Sequence, residues 1–168
     1  MTTQPSLEDA KALLAAAESL LARAVGAAVE ITEHGRQIDE HQVLVQRVAY
    51  AQTEARAASE LIAQAEAIRA EARGGEVLEL TAAVGTSDLV AGLRERLAAA
   101  ADDLGIGDEA VEEAFPAPVR NLLRRATAEA VYRRLGRHAA ETRGANDLPL
   151  DEMHEQVREQ VREFAAKE

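Results

Sequence analysis

The chain has 168 residues, no cysteine, 47% hydrophobic but only 2% aromatic residues, and a net charge of −11. Disulfide and thiolate chemistry are excluded, and nonspecific binding to nucleic acid or to an anionic membrane is disfavoured. Thirty-seven alanines stand against four aromatic rings, Tyr50, Phe115, Tyr132 and Phe164. Alanine is the best helix former but buries little area, so a strongly helical chain with close backbones and a thin core is expected.

Ser6, with Asp9 three residues on, predicts a capped helix start. Leu7, Ala10, Leu14, Ala17, Leu21, Ala24 and Ala28 then form a near-heptad stripe, widened by Leu13, Leu20 and Val25. Glu8, Asp9, Lys11 and Glu18 are unlike a secretory signal. No uncharged apolar run approaches the ~20 residues of a membrane helix, and a cytoplasmic protein is the expectation. The first helix ends before His34-Gly35, and a short turn makes the first two helices an antiparallel hairpin.

The second helix, from about Ile38 to Arg73, is expected to be the central packing element. Its inward candidates are Ile38, Val45, Val48, Ala49, Ala55, Ala58, Ile62 and Ala65. Gln42 and Gln52 interrupt that face, so Gln42 reads either as a buried, satisfied glutamine or as a contact to something outside the chain. Gly74-Gly75 closes the helix.

A third helix is expected from Glu76 to Ala101, with Leu78, Val84, Leu89, Val90, Leu93 and Leu97 facing in and a candidate break at Gly85 to Asp88. Leu104 to Gly107 reads as a loop, and Asp108 as the cap of a short helix that stops before Pro116. Pro118 suits the first turn of a fifth helix reaching Thr142. Arg143 to Asn146 reads as a linker. Asp151 caps a last helix with Leu150, Met153, Val157, Val161 and Phe164 on one stripe. The predicted class is all-α, an antiparallel helical bundle of about five to six helices.

Motifs that carry chemistry are sparse. There is no Gly-x-Gly-x-x-Gly, Walker loop, Gly-x-Ser-x-Gly or zinc spacing. Asp151-x-x-His154 has the spacing of half a di-iron carboxylate site, but no second copy accompanies it and neither His41 nor His138 has a carboxylate three residues earlier. The segment from Pro118 to Gly144 carries Arg120, Arg124, Arg125, Arg133, Arg134, Arg137 and Arg143 against Glu129 and Glu141. A phosphate or coenzyme contact is one reading. A basic helix paired with acidic neighbours is the other, favoured because the arginines are spread around the helix. No catalytic, cofactor-binding or metal-binding residue is assigned.

Two stretches carry a resemblance. Gly35-x-x-Ile38-x-x-x-Gln42, followed by Val48-Ala49, Thr53-Glu54 and Ala57-Ala58, resembles the first long helix of the C-terminal bundle of acyl-CoA dehydrogenases. In that family a glycine-led turn and a glutamine sit beside the flavin of a neighbouring subunit. Leu150 to Glu168, with its acidic start and its Arg162-Glu163-Phe164-Ala165, resembles the opening helix of the same family. Together they cover about a third of the chain. The family usually has an arginine four residues before the glycine and often an aromatic directly before it; here these positions are Ile31 and His34. The packing pattern is kept better than the cofactor contacts.

The resemblance implies a helical N-terminal extension, residues 1–145, followed over 146–168 by a linker and the first helix of an acyl-CoA dehydrogenase-like body. Its expected role is non-catalytic packing or subunit association, with the chain itself or the body as partner and a homo-oligomer as the assembly. FAD and fatty-acid oxidoreductase activity are implied for a full-length parent, and no cofactor for this chain alone. A coding frame that continues past Glu168 into a flavin-binding β-domain is the corresponding expectation. The alternative is a free-standing helical module that binds a protein helix through an alanine-lined groove.

Overall fold

Ser6 starts the first helix as its sequence predicts. Its hydroxyl accepts from the Asp9 backbone N–H at 3.1 Å, and the Asp9 carboxylate accepts from the Ser6 N–H at 2.9 Å. This reciprocal box satisfies two of the unpaired donors of a helix start. In the computed structural model, which describes residues 4–71, 75–143 and 152–166, α1 spans Leu7–Ile31. The other helices are α2 (Gln42–Ala70), α3 (Glu76–Ala98), α4 (Gly107–Ala114), α5 (Ala117–Ala126), α6 (Glu129–Glu141) and α7 (Glu152–Ala165). The described residues form an all-α bundle without strands.

The first three helices run up, down and up. Leu7 at the start of α1 packs with Ala65 near the end of α2 and Ala82 near the start of α3. At the other end, the Arg47 guanidinium on α2 donates to the Ala99 carbonyl just past α3, at 3.1 Å. One continuous core joins them. It contains Leu13, Ala17, Leu20 and Ala24 from α1, Val48, Ala51, Ala55 and Ala58 from α2, and Ala83, Val90, Leu93 and Leu97 from α3. Phe115, fully buried, closes the core where α4 meets α5. By length and composition alone α1 could cross a membrane; in the fold Leu13, Leu14, Leu20 and Leu21 belong to this core.

The turn from α1 into α2 is tight. Glu33, His34 and Gly35 take positive φ values of 48°, 58° and 88°. Buried Thr32 holds the turn: its hydroxyl donates to the Ala28 carbonyl at 2.8 Å and accepts from the Gly35 N–H at 3.1 Å. Glycine suits the last of these positions because it has no Cβ to clash there.

Several expected boundaries move. A 3-10 turn, Ile38–His41, precedes α2. Ile38 is therefore out of phase with the helix and 45% exposed. The buried face of α2 is Leu44, Val48, Ala51, Ala55, Ala58, Ile62, Ala65 and Ile68, so Leu44 and Ala51 take the inward places expected for Val45 and Ala49. The third helix does not break at Gly85 to Asp88. Thr86 and Ser87 are completely buried, and the Ser87 hydroxyl donates back to the Ala83 carbonyl at 2.7 Å. A hydroxyl satisfied within its own helix has no reason to stop it. That helix ends at Ala98, not Ala101. Asp108 lies in the first turn of α4, whose cap position is Ile106.

The expected fifth helix is two. Thr127 donates its hydroxyl to the Leu123 carbonyl at 2.9 Å, and Ala128 is extended at φ −73°, ψ 141°. The chain bends there so that Val131 reaches Leu80 and Val84 of α3. Residues 144–151, which contain most of the expected linker and the expected cap Asp151, lie outside the described residues, as does Gly74.

Candidate association surface

The last helix sets the first part of the site. Met153, Val157, Val161 and Phe164 are spaced by four, four and three residues, which places them on one face of α7. All four are exposed, between 53% and 68%. By helical spacing Gln156, Gln160 and Glu163 flank this stripe on one side and His154 and Arg158 on the other, while Glu159 and Arg162 lie toward the opposite face. A run of large apolar side chains in water marks an interaction surface when it is contiguous, whereas scattered single residues do not.

The second part lies between α3 and α6. Packing of Val131 on Leu80 and Val84 holds α6 against α3. Two polar contacts fasten it: Arg134 pairs with Glu76 at 2.9 Å, and the Tyr132 hydroxyl donates to the Asp88 carboxylate. Burial and the neighbouring Asp88 push the Tyr132 phenol up to about 12. Beyond Val131 the helices leave a cleft of about 320 Å³ lined by Val77, Leu80, Arg134, Leu135, Arg137, His138 and Glu141. Its floor is apolar and its rim mainly basic. The volume is at the lower end of ligand-pocket sizes, roughly 300–1,000 Å³.

The arginine-rich segment divides in use. Arg120 donates to the Phe115 carbonyl at 2.8 Å, Arg124 to Asn121, Arg133 to Glu129, and among the described residues only Arg134 pairs across to another helix. Arg137 forms no ion pair among the described residues and is exposed at the cleft.

A third cluster ties α2 to α3. Arg96 donates to both oxygens of Glu54, at 2.7 and 3.4 Å, and its guanidinium lies 5.4 Å from the centre of the Tyr50 ring. Hydrogen bonding to Glu54 raises the Arg96 pKa further. This partly buried pair is a fastening between helices.

The residues of the flavin-side resemblance do not converge on a pocket. Gln42 is exposed in the first turn of α2, and its amide donates to Asp39 at 3.2 Å. It is neither buried nor aimed into the bundle. Gly35 sits at the exposed tip of the α1–α2 turn, and Ile31 is half-buried. Among the described residues no three His, Asp or Glu side chains come together as a metal site, and Asp151 lies outside them. Sequence reasoning found the α7 stripe but missed the cleft. Its available signal was Val131 and Leu135 one turn apart, flanked by Arg134 and Arg137. No protein-family model, curated protein or solved structure matches the chain.

Proposed function

We propose that this chain is the non-catalytic helical N-terminal region of an acyl-CoA dehydrogenase-like flavoprotein, and that its role is packing and subunit association. The observation that carries the association role is the exposed α7 stripe: Met153, Val157, Val161 and Phe164 on one face, uncovered. Burying such residues stabilises an interface by roughly 1.5–3 kcal/mol per fully buried side chain, before the losses of association are deducted. The resemblance at Gly35–Ala63 and Leu150–Glu168 supplies the partner: the body of the flavoprotein, in the same or a neighbouring subunit. FAD binding and acyl-CoA oxidation belong to that body in this reading, and the cytoplasm is its compartment.

The test is the coding frame beyond Glu168. The proposal expects a flavin-binding β-domain followed by a second helical bundle. A frame that leads into an unrelated domain overturns the flavoprotein assignment. The second reading, a free-standing helical interaction module, is favoured by the positions where the resemblance departs from its family. Ile31 stands where the family has an arginine, and the Gln42 amide is taken by Asp39.

A further inference from the structure

α6 is joined to the bundle differently from the helices before it. The continuous core takes buried residues from each of α1 to α5 and, among the described residues, none from α6. Val131 of α6 belongs instead to a separate cluster with Leu80 and Val84 of α3, edged by Ala128 and Leu135. The Arg134–Glu76 and Tyr132–Asp88 contacts that accompany it are open to solvent, where such contacts contribute little. The chain also has a bend available at the base of the helix, since Thr127 ends α5 and Ala128 is extended.

The helix is weak in itself. Its cap position holds Ala128, with no side-chain cap bond, and alanine is a poor cap; α1, by contrast, has its reciprocal box. Gly136 stands in mid-helix, exposed, and a Cβ built there meets nothing within 4 Å. Close packing therefore does not require a glycine, and its low helix propensity goes uncompensated. With 13 residues, α6 is at the length where an isolated helix is marginal in water. Few buried contacts on a weak helix define a segment that opens below the free energy of global unfolding. We propose that α6 is a strap hinged at Thr127-Ala128, which leaves α3 while the α1–α5 core stays folded. Opening uncovers Leu80 and Val84, so α6 controls access to that part of α3. The device goes beyond the association role and does not depend on it.

The experiment uses the absence of cysteine from the full chain, so that an introduced thiol reports on its own site alone. Val84→Cys and Val90→Cys place matched buried probes on α3, one in the α6 cluster and one in the continuous core. Each thiol is treated with a chromogenic aromatic disulfide in native buffer, alone and combined with Val131→Ala or Gly136→Ala, while circular dichroism follows the fold. Val84→Cys is expected to react orders of magnitude faster than Val90→Cys. Val131→Ala should speed its reaction roughly tenfold or more, through the buried methyl groups it removes. Gly136→Ala should slow it about fivefold, through the helix propensity it adds. Neither should move Val90→Cys by as much. Two thiols that react alike and shift together mean that α6 opens only with the whole bundle, which overturns the strap. A Val84→Cys rate that neither substitution moves means that the thiol is reached without opening, which also overturns it. Loss of the fold in Val131→Ala does the same, because α6 would then be part of the cooperative core.

Discussion

The Thr86 hydroxyl on α3 lies 3.5 Å from the Ala58 carbonyl on α2, and both residues are completely buried. A side chain of one helix touches the backbone of the other, which is possible only where the facing residues are small. Ala55 and Ala58 supply that on α2, and Ala83 on α3. Ala58→Leu inserts three heavy atoms into this crossing. Overpacking of that kind costs roughly 1–3 kcal/mol, while leucine loses only a few tenths against alanine in helix propensity. The steric effect decides, and the melting temperature should fall. Ala70→Leu, exposed at the end of α2, should melt close to the parent. Two variants that melt alike would contradict the close approach.

Gly85 tests the same crossing from α3. A Cβ built there meets the Leu61 Cδ1 at 3.0 Å. Leu61 is half-buried, so its side chain can rotate outward, at a cost of roughly 0.5–1.5 kcal/mol if it leaves its rotamer. Alanine gains roughly 1 kcal/mol of helix propensity over glycine. Gly85→Ala is therefore expected to change stability by less than about 1 kcal/mol, and Gly85→Val to destabilise by roughly 1–3 kcal/mol. Urea denaturation of both variants reads the difference. A valine variant as stable as the alanine one would mean that the crossing has room.

Much of this fold was legible in the sequence, and the misses have physical causes. The α1 stripe and the Ser6–Asp9 cap follow from local spacing, which a helix enforces. The break at Thr127-Ala128 does not. Neither residue is a strong helix breaker, and the bend is fixed by the distant packing of Val131 on Leu80 and Val84. The reverse error at Gly85 to Asp88 has the mirror cause. Residues that read as a turn are kept helical because Thr86 and Ser87 bond to nearby carbonyls inside a crossing that only small side chains permit. The α7 stripe was visible because its residues are neighbours along one helix. The cleft was not, because it needs α3 and α6 to meet.

Tyr132 provides a pH test of the α6 attachment. Burial and the bond to Asp88 raise its pKa from 10.0 to about 12. A phenol whose folded value lies above its unfolded one contributes stability that is fully present below the unfolded value. That contribution is lost as pH rises from 10.0 toward about 12. Tyr132 is 38% exposed, so solvent screening keeps the effect modest. Across that window the urea midpoint of the parent should fall more steeply than that of Tyr132→Phe. Parallel curves would show that the phenol contributes nothing to the attachment.

The proposed non-catalytic role predicts a colourless protein. Gln42 is exposed and bonded to Asp39, and the sequence contains no stretch resembling the family's flavin-binding β-domain. Gel filtration after incubation with FAD should return the chain without a flavin absorption band and without acyl-CoA dehydrogenation activity. A band that co-elutes with the protein would contradict the proposed non-catalytic role.

The proposed association role rests on α7 being uncovered in the isolated chain, and amide hydrogen exchange measures that directly. At concentrations below any self-association, a helix whose apolar face packs on nothing opens far more readily than one inside a core. Amides from Met153 to Phe164 should therefore exchange orders of magnitude faster than those from Val48 to Ile62 on α2. Equal protection of the two segments in the dilute chain would mean that the α7 stripe is already buried within it, and an association surface there would be ruled out.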